Sequence, residues 1–155
     1  MADSKMVIKQ GDAIFTYDYK TYDLQEWIEI PEDAANLTFN NVSGFLAYTI
    51  GPDVYVSTPE GKKRVTNHEG TGTTAGIAIH RSEFGIVNGL FWSENGDHLG
   101  LYEMDETMVT DYPLADYSTI PATLKNIKYP MAGQASHHAK VGVYQVADDR
   151  LVYLN

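Results

Sequence analysis

The acidic segment Glu103-Met-Asp105-Glu106 contains side chains that could bind a ligand. On a strand, Glu103 and Asp105 point to one face and Glu106 to the other. Two carboxylates on one face can receive a cation, or one of them can have a raised pKa. Alternatively, these acids cap the end of a hairpin and pair with neighbouring loop donors. Their spacing does not match a calcium loop.

Two other motifs suggest a bound ion but lack the partners it would need. His137 and His138 are adjacent, so on a strand they point to opposite faces, and the sequence places no third ligand near them. The glycine-rich segment 70–76 lacks the lysine of a phosphate-binding loop, and we expect it to be a flexible connector. The sequence therefore predicts neither a metal nor a cofactor.

Composition and charge narrow the classes of function further. The chain has no cysteine, and none of its serines lies in a G-x-S-x-G motif. A net charge of −10 disfavours binding to nucleic acid or to an anionic membrane surface, and it suits cationic ligands such as a peptide ammonium group. No apolar run approaches the length of a membrane span, and the first residues do not resemble a signal peptide.

The elements that must position these side chains are short strands. Apolar and polar residues alternate along most of the chain, and no stretch of a dozen residues has a helical period. The 11 tyrosines also favour strands over helices. Strands separated by glycine and proline turns are predicted at 6–9, 13–18, 24–30, 37–39, 45–48, 53–57 and 63–66. The pattern is that of an antiparallel all-β protein.

A longer repeat groups these strands. The segment from Phe39 to Tyr48 is an aromatic residue, a polar turn and an apolar strand ending in tyrosine, and the segment from Trp92 to Tyr102 has the same form. The copies begin 53 residues apart, close to the roughly 40–50-residue period of propeller blades. The hairpin around Val54 has a similar partner near the C-terminal end of the sequence. The repeat therefore indicates the blades of a β-propeller.

The predicted organisation is an incomplete propeller of about two and a half blades. Residues 1–35 are the outer strands of one blade, 36–76 are a second blade (36–68) with its connector, and 77–155 are a third blade with a long insertion. A propeller normally needs about four to eight blades, because a blade buries its faces only against neighbours. The alternative is a small, complete β-sandwich whose hairpins merely resemble each other.

Long strings in the third blade resemble a known family. HRSEFGIVNGLFWSENGDHLGLYEMDETMVTDYPL, IKYPMAGQASHH and VGVY, in that order, look like the N-terminal β-propeller of bacterial dipeptidyl peptidase IV. The resemblance is strong over 77–155 and rests on blade pattern over 1–76. It implies a parent serine exopeptidase of the prolyl oligopeptidase family, periplasmic or in the cell envelope, that releases dipeptides with Pro or Ala in second place.

The resemblance also implies a substrate anchor just before the FWS hairpin. There the family's adjacent glutamates bind the free α-ammonium of the peptide through charge-assisted hydrogen bonds. In this sequence Glu83 is the acid, and an Arg-Ser pair beginning at Arg81 stands where mammalian members have the Glu pair. We expect Glu83 and Arg81 to contact peptide substrates with a free N-terminus, with Asp105 and Glu106 as further candidates. Alternatively, Glu83 is a loop carboxylate paired with Arg81 or His80.

Several functions remain open for the chain. The family's α/β-hydrolase domain, with its Ser-Asp-His triad, is missing from the sequence, so we expect the chain alone to be inactive as a peptidase. It is then a substrate-gating part of an exopeptidase, a stand-alone module that binds proteins or peptides, or a structural β-domain. An incomplete propeller leaves strand edges and apolar sheet faces without partners, so we also expect self-association.

Overall fold

The computed structural model describes residues 4–79 and 84–154, which contain fourteen β-strands. In chain order the strands are β1 Lys5–Gln10, β2 Ala13–Asp18, β3 Asp23–Glu29, β4 Ala35–Phe39, β5 Leu46–Ile50, β6 Asp53–Thr58, β7 Gly61–Arg64, β8 Thr73–Ala75, β9 Leu90–Trp92, β10 His98–Asp105, β11 Asp111–Asp116, β12 Thr123–Lys128, β13 His138–Gln145 and β14 Arg150–Tyr153. Alternating side chains, β-branched residues and tyrosines account for this strand content. The predicted all-β class is confirmed.

The strands form three sheets and one separate hairpin, and all of their pairings are antiparallel. The first sheet is β1-β2-β3, and the second is β4-β5-β6-β7. The third has the order β14-β13-β10, with both β8 and β9 paired to β10. The hairpin β11–β12 lies between β10 and β13 in the chain and forms its own two-stranded sheet. Consecutive strands pair as in the meander of a propeller blade, and the sheets do not close into a ring.

The apolar core consists of two layers, one on each face of the second sheet. Strand alternation directs Leu46 and Tyr48 of β5 toward the first sheet and Ala47 toward the third. The layer against the first sheet contains Ile14, Ile28, Ile30, Leu46 and Tyr48. The layer against the third contains Ala47, Val54, Val56, Ala75, Leu90, Leu99, Leu101 and Tyr144. The second sheet is therefore buried on both faces, as stacked blades require.

Indole and amide groups connect neighbouring sheets. Trp27 Nε1 in β3 donates a hydrogen bond of 2.8 Å to a carbonyl in the β4–β5 turn, and Trp92 Nε1 in β9 donates one of 2.9 Å to a carbonyl of β4. The Asn40 side chain donates to the carbonyl of Ser93 at 2.9 Å. Asn40 and Ser93 follow the first aromatic residue of the two repeated segments, so equivalent positions of the second and third sheets meet.

Strand β8 corrects the expectation that residues 70–76 are a flexible connector. Thr73, Thr74 and Ala75 pair with β10 in register with residues 105, 104 and 103, and Ala75 is buried. The physical reason lies in β10, because β9 pairs only with residues 99–101 and leaves the rest of that edge open. Buried backbone groups need partners, and β8 supplies them.

The β11–β12 hairpin, within the predicted insertion, was not predicted from the sequence. Pro113 in the middle of β11 interrupts the strand signal, but a two-stranded ribbon has a free edge where a missing N–H costs no ladder bond. Most side chains of the hairpin are exposed, including the apolar Tyr112, Leu114 and Leu124. Because polar and apolar residues of the hairpin are both exposed, their order in the sequence does not mark a buried face and did not indicate strands.

Candidate functional site

The two residues predicted to bind the substrate, Arg81 and Glu83, lie outside the described residues. The chain on both sides of them is described: β8 ends at Ala75, and β9 begins at Leu90. Both strands pair with the same edge of β10. We call residues 77–88 the anchor segment. The strands before and after this segment pair with the same edge of the third sheet.

The two residues that flank the anchor segment, Gly76 and Gly89, are hydrogen-bonded to Tyr102 in β10. The backbone N–H of Gly76 donates to the carbonyl of Tyr102 at 2.8 Å. The N–H of Tyr102 donates to the carbonyl of Gly89 at 3.0 Å. The two ends therefore stay side by side on a buried, paired strand.

Glycine is required where these two ends pack. Gly76 has a φ of +75°, and a Cβ there would lie 2.6 Å from Val54 Cγ2. A Cβ on Gly89 would lie 2.3 Å from the carbonyl oxygen of Ile77. Real Cβ contacts are not this short, so larger residues would push the two ends apart.

A buried acid, Glu103, lies on β10 next to Tyr102. Glu103 is 6% exposed. Its Oε2 accepts a hydrogen bond from the hydroxyl of Tyr153. The same oxygen lies 2.9 Å from Nε2 of His68, and this ring nitrogen makes no hydrogen bond of good geometry within the described residues. Its Oε1 lies 3.8 Å from the ammonium group of Lys140. Burial, followed by the hydrogen bond to Glu103, raises the pKa of Tyr153.

A second buried acid, Asp53 in β6, contacts the same histidine. Asp53 is 2% exposed and accepts hydrogen bonds from Arg64 Nη2 at 2.5 Å, Thr66 Oγ1 at 2.9 Å and the backbone N–H of His68 at 2.7 Å. Burial by itself raises the pKa of this carboxyl group, but these three donors together hold it below its usual value. His68 therefore contacts one buried acid on the second sheet and another on the third.

The other predicted acids have different surroundings. Asp105 Oδ1 accepts the backbone N–H of Thr107 at 2.9 Å, and hydrogen bonds from the Thr107 side chain and backbone lower the pKa of Asp105. It thus caps the turn after β10, as one of the two interpretations expected. The Glu106 backbone pairs with Gly72 and Val109. Glu103 and Asp105 have different hydrogen-bond partners, and substrate contact by Asp105 and Glu106 stays a prediction.

Neither a metal cluster nor a membrane-spanning helix occurs in the part of the chain that the structure describes. Over residues 4–79 and 84–154, no three His, Asp or Glu side chains are grouped to hold a metal ion. His138 begins β13 opposite Asp105, and His137 precedes the strand. Within the same ranges no helix is long and apolar enough to cross a bilayer.

Sequence reasoning grouped Glu103 with Asp105 and did not identify Asp53, His68 or Tyr153. Each makes its contact with a residue distant in the sequence, so local spacing carries no signal for them. One sign was present, because strand alternation places Glu103 on the same face as the apolar Leu101. An acid in an apolar stripe indicates a buried, paired carboxylate.

The sheets are antiparallel meanders that stack on one another. This arrangement defines the class of the protein, which consists of the blades of an incomplete β-propeller. Residues 7–155 match the family model described as the dipeptidyl peptidase IV (DPP IV) N-terminal region. The chain belongs to this family. Its propeller fold class is thereby also confirmed.

Related proteins are several times longer than this chain. Dipeptidyl aminopeptidase B of Saccharomyces cerevisiae is 27% identical over 144 residues, which are 86% of this chain and 17% of the yeast protein. A crystal structure assigned as a dipeptidyl aminopeptidase IV from Bacteroides ovatus is 39% identical with a TM-score of 0.87, covering 98% of this chain and 21% of that one. Dipeptidyl peptidase 4 of Porphyromonas gingivalis has the same fold, with a TM-score of 0.75, 20% identity and coverage of 99% and 23%.

Proposed function

We propose that this chain is the non-catalytic N-terminal propeller part of a serine exopeptidase and that its anchor segment binds the free N-terminus of the peptide substrate. One observation carries the proposal: Tyr102 is hydrogen-bonded to Gly76 and Gly89, the residues that flank 77–88, at the β8–β9 edge of the third sheet. Strand β4, at the edge of the second sheet, contacts β9 of the third. In a propeller the blades are arranged around a central channel, so strands that meet between neighbouring blades can line it.

The chemistry of this role requires an acid at a fixed place. An exopeptidase that releases dipeptides must hold the α-ammonium at a set distance from the scissile carbonyl. The Glu83 carboxylate accepts charge-assisted hydrogen bonds from the ammonium, which are stronger than neutral ones. The net charge of −10 adds a long-range attraction for such cations. Arg81, beside it, is suited to contact a carbonyl of the same peptide.

Peptide hydrolysis takes place in another part of the full-length protein. The Ser-Asp-His triad belongs to an α/β-hydrolase domain of that protein. The propeller limits access to this domain and presents the dipeptide to it. The product of hydrolysis is a dipeptide with Pro or Ala in second place. A periplasmic or cell-envelope location suits the uptake of such products.

The proposed function is tested by comparing two chromogenic substrates, Gly-Pro and N-acetyl-Gly-Pro, on the full-length protein. Acetylation removes the ammonium charge, so kcat/KM should fall by at least about 100-fold, as expected for loss of a charge partner. The isolated 155-residue chain should turn over neither substrate, because it contains no nucleophile elbow. Equal cleavage of both substrates would contradict the ammonium anchor. Turnover by the chain that survives inhibition of contaminating serine peptidases would contradict the division of roles.

A further inference from the structure

A cleft of about 470 Å³ lies between the first and second sheets. Residues 27–31, in β3 and the segment after it, line one side, and residues of β5, β6 and β7 line the other. The cleft is therefore formed entirely by residues between 27 and 62 and does not involve the anchor segment. Its volume lies within the range of small-molecule sites, which is roughly 300–1,000 Å³.

The inner part of the cleft is apolar and rigid. Trp27, Ile28 and Pro31 line it from the first sheet, and Tyr48 lines it from the second. The indole N–H of Trp27 donates to a carbonyl of the β4–β5 turn at 2.8 Å, which fixes the ring. The Tyr48 ring stacks on Tyr55 with their centroids 5.8 Å apart. Ordered rings of this kind suit an occupant with an apolar body.

Two buried hydroxyl groups also line the cleft. The hydroxyl of Tyr48 and Oγ of Ser57 are 3.1 Å apart and form one hydrogen bond, in which either can be the donor. Burial raises the pKa of Tyr48, so its hydroxyl keeps its proton at neutral pH. One hydrogen bond uses only one of the two hydroxyl protons, and neither oxygen has another side-chain or backbone partner in the part of the chain that the structure describes. The pair can therefore donate to an acceptor that enters the cleft.

A lysine at the mouth of the cleft completes a set of donors. Strand β7 carries three consecutive bases, and ion pairs with carboxylates of other strands occupy Lys63 and Arg64. Lys62 has no carboxylate partner within the described ranges, and its ammonium group lies 5.5 Å from the centroid of the Tyr55 ring. Because Lys62 is in register with Ser57, both side chains point to the face that forms the cleft.

We propose that this cleft binds a small carboxylate with an apolar body. The carboxylate accepts hydrogen bonds from the Lys62 ammonium and from the Tyr48–Ser57 hydroxyl pair, and the apolar part packs against Trp27 and Ile28. An ionised acceptor is favoured over a neutral one because charge-assisted hydrogen bonds are the stronger kind. The binding requires no catalytic group, so it does not rest on the proposed function and is tested separately from it.

The first test compares two probes of the same shape, 3-phenylpropionate and its neutral amide, 3-phenylpropanamide, by titration calorimetry of the full-length protein. The carboxylate should bind with a Kd of about 1 mM or lower, and the amide at least about fivefold more weakly. Lys62→Gln should weaken carboxylate binding by about fivefold and leave the amide unchanged. Lys63→Gln is the matched control, because it removes a neighbouring charge from the opposite face, and it should bind like the wild type. Equal binding of both probes, or equal losses in both variants, would overturn the proposal.

The second test locates the probe by fluorine NMR of the full-length protein labelled with 5-fluorotryptophan. The Trp27 signal, assigned by its loss in Trp27→Phe, should shift on titration with 3-phenylpropionate and saturate at the Kd found by calorimetry. Trp92, whose indole donates to β4 away from the cleft, should keep its signal. A Trp27 signal that does not move, or that moves without saturating up to about 10 mM, shows that the probe does not occupy the cleft and overturns the proposal.

Discussion

Asp53 is ionised even though its carboxylate is almost completely buried. Burial raises the pKa of such a group, but hydrogen bonds from Arg64, the backbone N–H of His68 and Thr66 hold it below the ordinary 3.8. Because the folded pKa is the lower one, the ionised side chain stabilises the fold above the unfolded pKa. This contribution disappears as the pH falls through the folded pKa. Asp53 therefore makes the free energy of unfolding decrease as the pH is lowered into the acidic range.

Asp53→Asn should remove this dependence. The amide cannot replace a carboxylate that accepts three donors, so the free energy of unfolding at pH 7 should fall by about 2–3 kcal/mol. As the pH falls through the lowered pKa of folded Asp53, the wild-type and variant values should converge, because the carboxylate is then losing its charge. Urea denaturation at several pH values measures both effects. Asp148→Asn, an exposed acid on a turn, is the control and should follow the wild-type curve.

Strand β10 organises the third sheet because it pairs with β8, β9 and β13. The ends of the anchor segment fit beside it only because Gly76 and Gly89 have no side chains. Gly100, on the same strand, has more room: a Cβ there would lie 3.5 Å from the Phe91 carbonyl, an ordinary contact. Replacing Gly89 or Gly100 by alanine adds the same methyl group in both cases, so a comparison of the two variants tests packing alone.

Gly89→Ala should reduce the free energy of unfolding by about 1–3 kcal/mol, because the added methyl group overlaps the Ile77 carbonyl. Gly100→Ala should change it by no more than about 0.5 kcal/mol. Thermal and urea denaturation of the two variants provide the comparison. Equal stabilities would mean that the ends of the anchor segment are not packed as described.

At the scale of the whole molecule, the third sheet presents an apolar face that is partly exposed. The face of the third sheet opposite Leu99 and Leu101 carries alternate residues of its strands, namely Phe91, Tyr102, Val141, Val143 and Val152. Phe91, Val141 and Val152 are 40–43% exposed. An apolar sheet face is stable when it packs against a neighbouring sheet, as both faces of the second sheet do.

We therefore predict that the 155-residue chain self-associates by packing this face against a second copy. Association should bury at least about 1,000 Å² in total, which stable interfaces require. The double variant Val141→Lys with Val152→Lys should be monomeric at concentrations where the wild-type chain is not, as light scattering can measure. Val42→Lys, an exposed valine in the β4–β5 turn, is the control. A wild-type chain that stays monomeric at high concentration would contradict the prediction.

The sequence predicted some parts of this structure well and others not at all, for physical reasons. Strands such as β6 follow directly from alternation, since Val54 and Val56 face an apolar layer. The β11–β12 hairpin was missed because its apolar residues are exposed and Pro113 interrupts it. The pairing of Glu103 with His68 depends on how two sheets stack, which local pattern does not encode. The turn-capping interpretation of Asp105 could be drawn from the sequence, because a turn cap is a local feature.

The most direct test of the central claim is the effect of Glu83→Gln on kcat/KM for a Gly-Pro substrate in the full-length protein. If Glu83 binds the substrate ammonium, the variant should lose about 2–4 kcal/mol of transition-state stabilisation, a decrease of roughly 30- to 1,000-fold. The melting temperature should not change, and Glu94→Gln, an exposed acid on the β9–β10 turn, should retain normal kinetics. A Glu83→Gln enzyme with near-normal kcat/KM would contradict the claim and transfer the test to Asp105 and Glu106.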